Sequence, residues 1–258
     1  NSFSAIWLAN INGSIRVEGY AGDKVILEAR KKISAKTEER LERAKKEVGL
    51  GVIDRADTII VYIQGICGSF SRHSDNQRKG GWPGAWRYDW NNCREDYDYR
   101  FDFVLRVPSD VNVILSTVND GDIEVSGISA GVRAHNINGS VRLTGLAGPT
   151  DAYTINGDVT LDYSRNPVKN CRYYTLNGDI NALFQKGLGA TFSFQSYSGS
   201  LYSNLEPIQP LPVELEKTQG ERGVQFKVLS SRYKVGPGGA RLEFETFNGD
   251  VYLKEKSN

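Results

Sequence analysis

Between residues 97 and 107 the chain alternates almost perfectly. Tyr97, Tyr99, Phe101, Phe103, Leu105 and Val107 interleave with Asp98, Arg100, Asp102, Val104 and Arg106, and the run stops at Pro108. A period of two puts one set on one face of a strand, so this stretch predicts a long half-buried strand ended by proline. The same alternation returns in shorter form after an octet that occurs seven times. The copies read NINGSIRV from Asn10, TVNDGDIEV from Thr117, NINGSVRL from Asn136, TINGDVTL from Thr154, TLNGDINA from Thr175, SYSGSLYS from Ser196 and TFNGDVYL from Thr246. Gly121, Gly139, Gly157, Gly178 and Gly199 follow one another at spacings of 18, 18, 21 and 21 residues. A period of that size is the rung length of a solenoid.

Asn-Gly between apolar runs is also the usual hairpin signal, so an antiparallel meander competes with this reading. The regular period favours coils. Each Asn-Gly follows a short apolar segment, and the wider spacer carries its own turn residues, which fits two to three short strands per coil. The expected fold is therefore all-β: a right-handed parallel β-helix-like solenoid with short rungs, its hand set by the usual crossover preference. Glycine marks the corner of each coil, with Asn stacked on its equivalents and Asp or Ser bonding the turn amides. The column Asp122, Ser140, Asp158, Asp179, Ser200 and Asp250 could instead be a calcium ladder or hold paired catalytic carboxylates. Ser140 and Ser200 interrupt it, and a turn acceptor explains both residue types.

Two stretches leave the period. Residues 20–110 read as a β-rich elaboration within a single domain spanning 1–258. It holds strands at 23–33 and 57–64 around one helix over 37–48, where Leu41, Ala44 and Val48 form a narrow apolar stripe and Gly49 is the stop. This helix is expected to cover a sheet edge or a solenoid end. The loop 67–93 follows, holding three of the four tryptophans. Trp82, Trp86, Tyr88 and Trp90, with Arg78, could form an aromatic platform against which a flat ligand stacks. The plainer reading is a loop that buries its own tryptophans. The second excursion, 204–239, opens with Pro207, Pro210 and Pro212 and resumes with strands near 224–229 and 241–246. The charged tail 254–258 is expected to protect the last rung.

Composition narrows the functional classes. Thirty-two basic and 31 acidic residues give a net charge of +1, which offers no bulk attraction for nucleic acid. No window is long and apolar enough for a membrane-spanning helix. The chain contains no Met, which suits a mature protein whose leader has been removed. Of the three cysteines, Cys67 and Cys93 bracket the Trp-rich loop and are a possible disulfide, while Cys171 is expected to be a small buried residue. No CxxC pair exists and His73 and His135 lie far apart, so no metal and no cofactor is expected. There is no phosphate-cradling loop, and both histidines sit in polar, unremarkable sequence. Asn12 and Asn138 match a glycosylation acceptor, but the repeat corner already accounts for them.

The iterated T-x-N-G-D-[IV]-x-[VL], the opening NINGSIRVEG and the segment VPSDVNVILSTVNDGDIEV resemble the bacterial putative-adhesin family of unknown function. The resemblance spans most of the chain. It implies a β-helix-like solenoid, an export signal in the precursor, and residence in the periplasm, at the cell surface or outside the cell. It supplies no site to carry over onto loop 67–93. The expected function is a non-enzymatic, adhesin-like domain that binds a surface glycan or an envelope protein. A scaffolding role is the alternative. A polysaccharide-cleaving β-helix enzyme is the third reading, with Asp89, Glu95 and Asp96 as the carboxylates nearest the tryptophans.

Overall fold

The computed structural model describes residues 4–55, 57–65, 68–71, 85–88, 96–212, 215–220, 223–228 and 231–257. Strands β1 (Ala5–Ala9) and β2 (Ile15–Tyr20) open the chain, followed by β3 (Ile26–Ala35), helix α1 (Glu38–Glu47), β4 (Gly49–Asp54) and β5 (Thr58–Gln64). A short pair, β6 (Gly68–Ser71) and β7 (Ala85–Tyr88), precedes the long strand β8 (Tyr97–Pro108). The chain then coils through β9 (Asn112–Ser116), β10 (Ile123–Ser126), β11 (Val132–His135), β12 (Val141–Leu146), β13 (Thr150–Asn156) and β14 (Val159–Tyr163). It continues through β15 (Cys171–Asn177), β16 (Ile180–Phe184), β17 (Ala190–Gln195) and β18 (Leu201–Ser203). The second excursion holds β19 (Ile208–Leu211), the hairpin β20 (Leu215–Gly220) and β21 (Gly223–Val228), and β22 (Ser231–Val235). Strands β23 (Ala240–Asn248) and β24 (Val251–Glu255) end the chain.

Apart from the separate pairs β6–β7 and β20–β21, these strands form two large, mostly parallel sheets, and the expected all-β solenoid is what the structure shows. The first sheet runs β19-β22-β17-β23-β15-β13-β11-β9-β1-β5-β4, and the second β18-β24-β16-β14-β12-β10-β2-β8-β3. Each regular coil gives one strand to each sheet. The alternating positions explain the core: Leu8, Leu115, Ala134, Ala152, Tyr173 and Phe244 in the first sheet are buried, as are Val17, Phe103, Val125, Leu143, Leu161 and Leu253 in the second. Parallel register stacks like on like, so Ile15, Ile123, Val141, Val159, Ile180 and Val251 form one column of β-branched residues.

The octet makes the corner between the sheets. Asn156 Nδ2 donates to Asn138 Oδ1 at 2.8 Å, Asn177 donates to Asn156 at 2.9 Å and Asn248 to Asn177 at 2.9 Å. Asparagine suits this ladder because its amide carries both donor and acceptor. One position beyond the glycine, the carboxylate or hydroxyl accepts the backbone N–H of the next rung: Ser140 N donates to Asp122 Oδ1, Asp179 N to Asp158 Oδ1 and Ser200 N to Asp250 Oδ1. The acidic column is thus a run of turn acceptors, as the interruption by serine suggested. Among the described residues no group of three or more His, Cys, Asp or Glu side chains is placed to hold a metal. The leading Thr closes the motif, Thr154 Oγ1 donating to the Gly139 carbonyl at 2.7 Å and Thr175 Oγ1 to Gly157 at 2.8 Å. Glycine is required here because a Cβ on Gly157, at φ 155°, would lie 2.5 Å from the Gly139 carbonyl oxygen.

Spatial order departs from chain order at both ends. Strand β1 lies between β5 and β9, and β2 between β8 and β10, so the elaboration folds back to supply the rung beyond the first octet. The last octet does the same from the other side. Strand β23 lies between β15 and β17, and β24 between β16 and β18. Gly178 and Gly199, 21 residues apart, are therefore separated by the rung of Gly249. This corrects the expected role of the tail. Lys254 and Lys256 belong to an internal rung, Lys256 Nζ pairing with Asp162 at 2.5 Å, and the solenoid ends are closed by other strands. Antiparallel β4 and β3 finish one end, and antiparallel β22 and β19 extend the first sheet at the other.

Helix α1 packs against β3, the outermost strand of the second sheet, and against β8. Thr37 caps it, Glu38 and Glu39 fill the first turn, Lys45 and Lys46 the last, and Ala44 and Val48 are buried. Lys31 of β3 donates to the terminal carbonyls of Lys45 and Val48, and Asp96 pairs with Arg40 and Arg43.

Candidate functional site

The side chains between core positions on the first sheet point outward, and register aligns them into columns. Three residues before each corner motif, β9, β11, β13, β15 and β23 carry Ile114, Arg133, Asp151, Arg172 and Glu243. Charge alternates along this column. Arg133 Nε lies 3.2 Å from Asp151, Arg172 Nε 3.2 Å from Glu243, and Arg241 Nε 3.1 Å from the other oxygen of Glu243. The guanidinium side chains remain nearly half exposed, so each keeps donors for a ligand while its position is held by a carboxylate. Burial would raise the Asp151 pKa, but His135, Arg133 and Arg172 together outweigh it and hold the carboxyl below its ordinary value.

Two positions further along each strand lies a second column: Ser116, His135, Tyr153, Tyr174 and Glu245. The Tyr153 and Tyr174 rings stack at 4.7 Å and 7°, and His135 tilts onto Tyr153 at 5.4 Å. Their faces are turned on each other, so they present edges and hydroxyls outward. Burial raises both phenol pKa values above the ordinary one, which keeps the hydroxyls protonated as donors.

Two positions in the other direction, Asn112, Gly131, Pro149 and Asn170 leave a notch beside the charged column. The result is a groove of about 640 Å³ running from Ala5 and Asn112 past Arg133, Asp151 and Arg172 to Glu243, continued by a hollow of about 320 Å³ towards Val168 and Lys169. Its asparagines are fixed in place: Asn112 Oδ1 accepts from Gly131 N at 3.0 Å, and Asn170 Oδ1 from Arg241 N at 3.0 Å. Cys171, a free thiol 5% exposed, sits in the groove lining. Its sulfur accepts from Thr150 N at 3.3 Å and lies 3.7 Å from the Tyr163 hydroxyl, which itself meets the Tyr173 hydroxyl at 2.6 Å. Burial pushes both phenols well above their ordinary pKa. The cysteine is thus part of a polar core contact as well as a small buried residue.

His135 is the correction to the sequence reading. Far from an unremarkable polar context, it is 2% exposed, its Nε2 lies 3.5 Å from Asp151 Oδ1, and its register partner is Ser116. Serine, histidine and aspartate are thus neighbours on three successive rungs. Ser116 is fully buried and its hydroxyl makes no hydrogen bond, so this set is closed to a substrate from solvent.

Of the residues anticipated as a platform, Trp82, Trp90 and Arg78 lie outside the described residues, as do Cys67, Cys93, His73, Asp89 and Glu95. Trp86 and Tyr88 fall on β7, whose backbone pairs Trp86 with Phe70 and Tyr88 with Gly68. Asp96, nominated as a catalytic carboxylate, is held by Arg40 and Arg43; its hydrogen bond from Arg43 leads the causes that lower its pKa. The charged column was missed, although aligning the octets and reading three residues upstream of each would have displayed it.

No helix among the described residues is long and apolar enough to cross a membrane. No protein-family profile matches the chain. No curated protein matches it either. A solved structure described as a putative cell adhesion protein from Clostridium sporogenes aligns over 99% of this chain and 93% of its own, at 9% identity and a TM-score of 0.40.

Proposed function

We propose that this chain is a non-enzymatic binding domain that lays an extended glycan along the outer face of the first sheet, in the groove beside Arg133, Asp151, Arg172 and Glu243. One observation carries the reading: hydrogen-bonding side chains recur rung by rung, the arginines paired with a neighbouring carboxylate and still nearly half open to solvent. A hydroxyl-rich chain needs donors and acceptors in alternation along its length, and preorganised side chains lose little freedom on binding it. The stacked Tyr153 and Tyr174 add two protonated hydroxyls at the same spacing. The burial of Ser116 and His135 supports binding without covalent chemistry. The resemblance of the octets to an exported family supports a location in the periplasm, at the cell surface or outside the cell, which fractionation of the producing cells tests directly.

The binding test uses a broad glycan array with three folded proteins: wild type, Arg172→Ala, and the triple variant Trp82→Ala, Trp86→Ala, Trp90→Ala. Binding lost with Arg172→Ala and kept in the triple variant supports the groove. The reverse pattern moves the site to loop 67–93, and no binding by wild type turns the assignment to scaffolding.

A further inference from the structure

The last rung occupies a slot between two rungs that follow each other in the chain. Strands β15 and β16 form one wall and β17 and β18 the other, joined directly by residues 185–189, yet β23 and β24 run between them in parallel register on both sides. The fit is complete. Leu242, Phe244, Val251 and Leu253 are buried, and Phe244 meets Tyr173 at 4.8 Å and Phe192 at 6.3 Å. At the corner, Asn248 donates to Asn177, Asp250 N to Asp179, and Ser200 N to Asp250. Tyr197 stacks on Phe247 and Tyr202 on Tyr252.

None of these contacts depends on which chain supplies the rung. The only covalent tie is residues 236–239, Gly-Pro-Gly-Gly, which carry the chain from β22 on one side of β17 to β23 on its other side. The three glycines have φ of 54°, 81° and 151°, values that other residues rarely adopt. A Cβ on Gly236 would lie 2.9 Å from the Leu188 carbonyl oxygen, and one on Gly239 2.6 Å from that of Gly189, so the crossing is tight.

We propose that Ala240–Glu255 is an exchangeable rung, and that a second copy of this chain can supply it, giving a dimer in which each molecule fills the other's slot. Exchange preserves every ladder, corner bond and ring stack and alters only the hinge, which is the condition under which swapping costs little. The occupant is a second copy because the slot demands an apolar alternation with a T-x-N-G-D corner in fixed register, which this segment carries. The mode is donor-strand addition, with backbone bonds giving strength and side-chain columns giving selectivity.

The experiment deletes Pro237, Gly238 and Gly239 from the full chain, leaving two Cα–Cα steps, about 7 Å, to cross the roughly 9.6 Å between the two strands that flank Ala190, too short for the rung to return to its own slot. The variant is expected to be dimeric by light scattering with an unchanged circular-dichroism spectrum. Wild type, unfolded and refolded as a mixture of isotope-labelled and unlabelled chains, is expected to yield dimers of mixed mass in a share that rises with concentration. A deletion variant that folds as a monomer overturns the proposal. If that variant does not fold, the wild-type mixture decides: mixed dimers sustain the exchange, and their absence at every concentration refutes it.

Discussion

The corner of the coil and the outer face of the first sheet repeat on the same rungs, and they use the repeat in opposite ways. At the corner every octet except that of Ser198 carries asparagine, because each side chain bonds its own copy: Asn138 holds Asn156, and Asn156 holds Asn177. On the outer face the residue changes sign at each step, Arg133, Asp151, Arg172, Glu243, because each side chain bonds its opposite. Identity along the stack builds the fold, and difference along the stack makes the surface on which the proposed glycan site lies. Substitutions at the two places should therefore fail differently, which gives a graded series of tests.

The largest effect is expected at the corner glycine. Gly157→Ala puts a methyl 2.5 Å from the Gly139 carbonyl oxygen at a φ of 155°, so backbone strain and overlap act together. A loss of about 3 kcal/mol in urea unfolding is expected. A loss below about 1 kcal/mol would mean that the rungs do not approach this closely. One step down is Thr154→Val, which keeps the shape and removes the hydroxyl bond to Gly139. It leaves a part-buried carbonyl short of a partner, and the same measurement should read about 1 kcal/mol.

How much of this was legible follows the same division. The corner could be read because its contacts are between like residues, so the motif written in the chain is the motif in space. Helix α1 could be read because Leu41, Ala44 and Val48 fall on one stripe, of which Ala44 and Val48 are buried. The order of the rungs could not. The octets present closely similar corners, so their order in space is not written in them, and a spacing of 21 residues between Gly178 and Gly199 does not reveal that Gly249 lies between them. The candidate groove was hidden for a related reason: Arg133 and Asp151 are ordinary surface charges in sequence and become a pair only once register is known. The burial of His135 is likewise a tertiary fact, since its position in β11 points outward.

A smaller effect is expected from acid at the outermost turn acceptor. Hydrogen bonds from Arg100, then from the Ser14 amide and hydroxyl, bring the Asp102 pKa to about 2. The folded value lies below the ordinary 3.8, so the charged form favours the fold. This contribution is present above pH 4 and is lost as pH falls through about 2. The side chain is 33% exposed, and screening holds the effect to about 1 kcal/mol. Asp102→Asn should abolish that part of the pH dependence between 4 and 2, read as the difference in urea midpoint between the two proteins.

The smallest effect on stability and the largest on binding are expected together at Arg172. Its guanidinium is nearly half exposed and pairs with Glu243 across neighbouring strands, a kind of surface pair that contributes about 0.5 kcal/mol or less. Arg172→Ala should therefore unfold within that margin of wild type while losing glycan binding. Glu243→Gln, which keeps an acceptor for Arg172 and removes the charge, should weaken binding less. If Arg172→Ala costs as much stability as Thr154→Val, the charged column belongs with the corner as a structural ladder. Unchanged stability with lost binding would instead mark the alternation of charge as the part of the repeat that faces a partner.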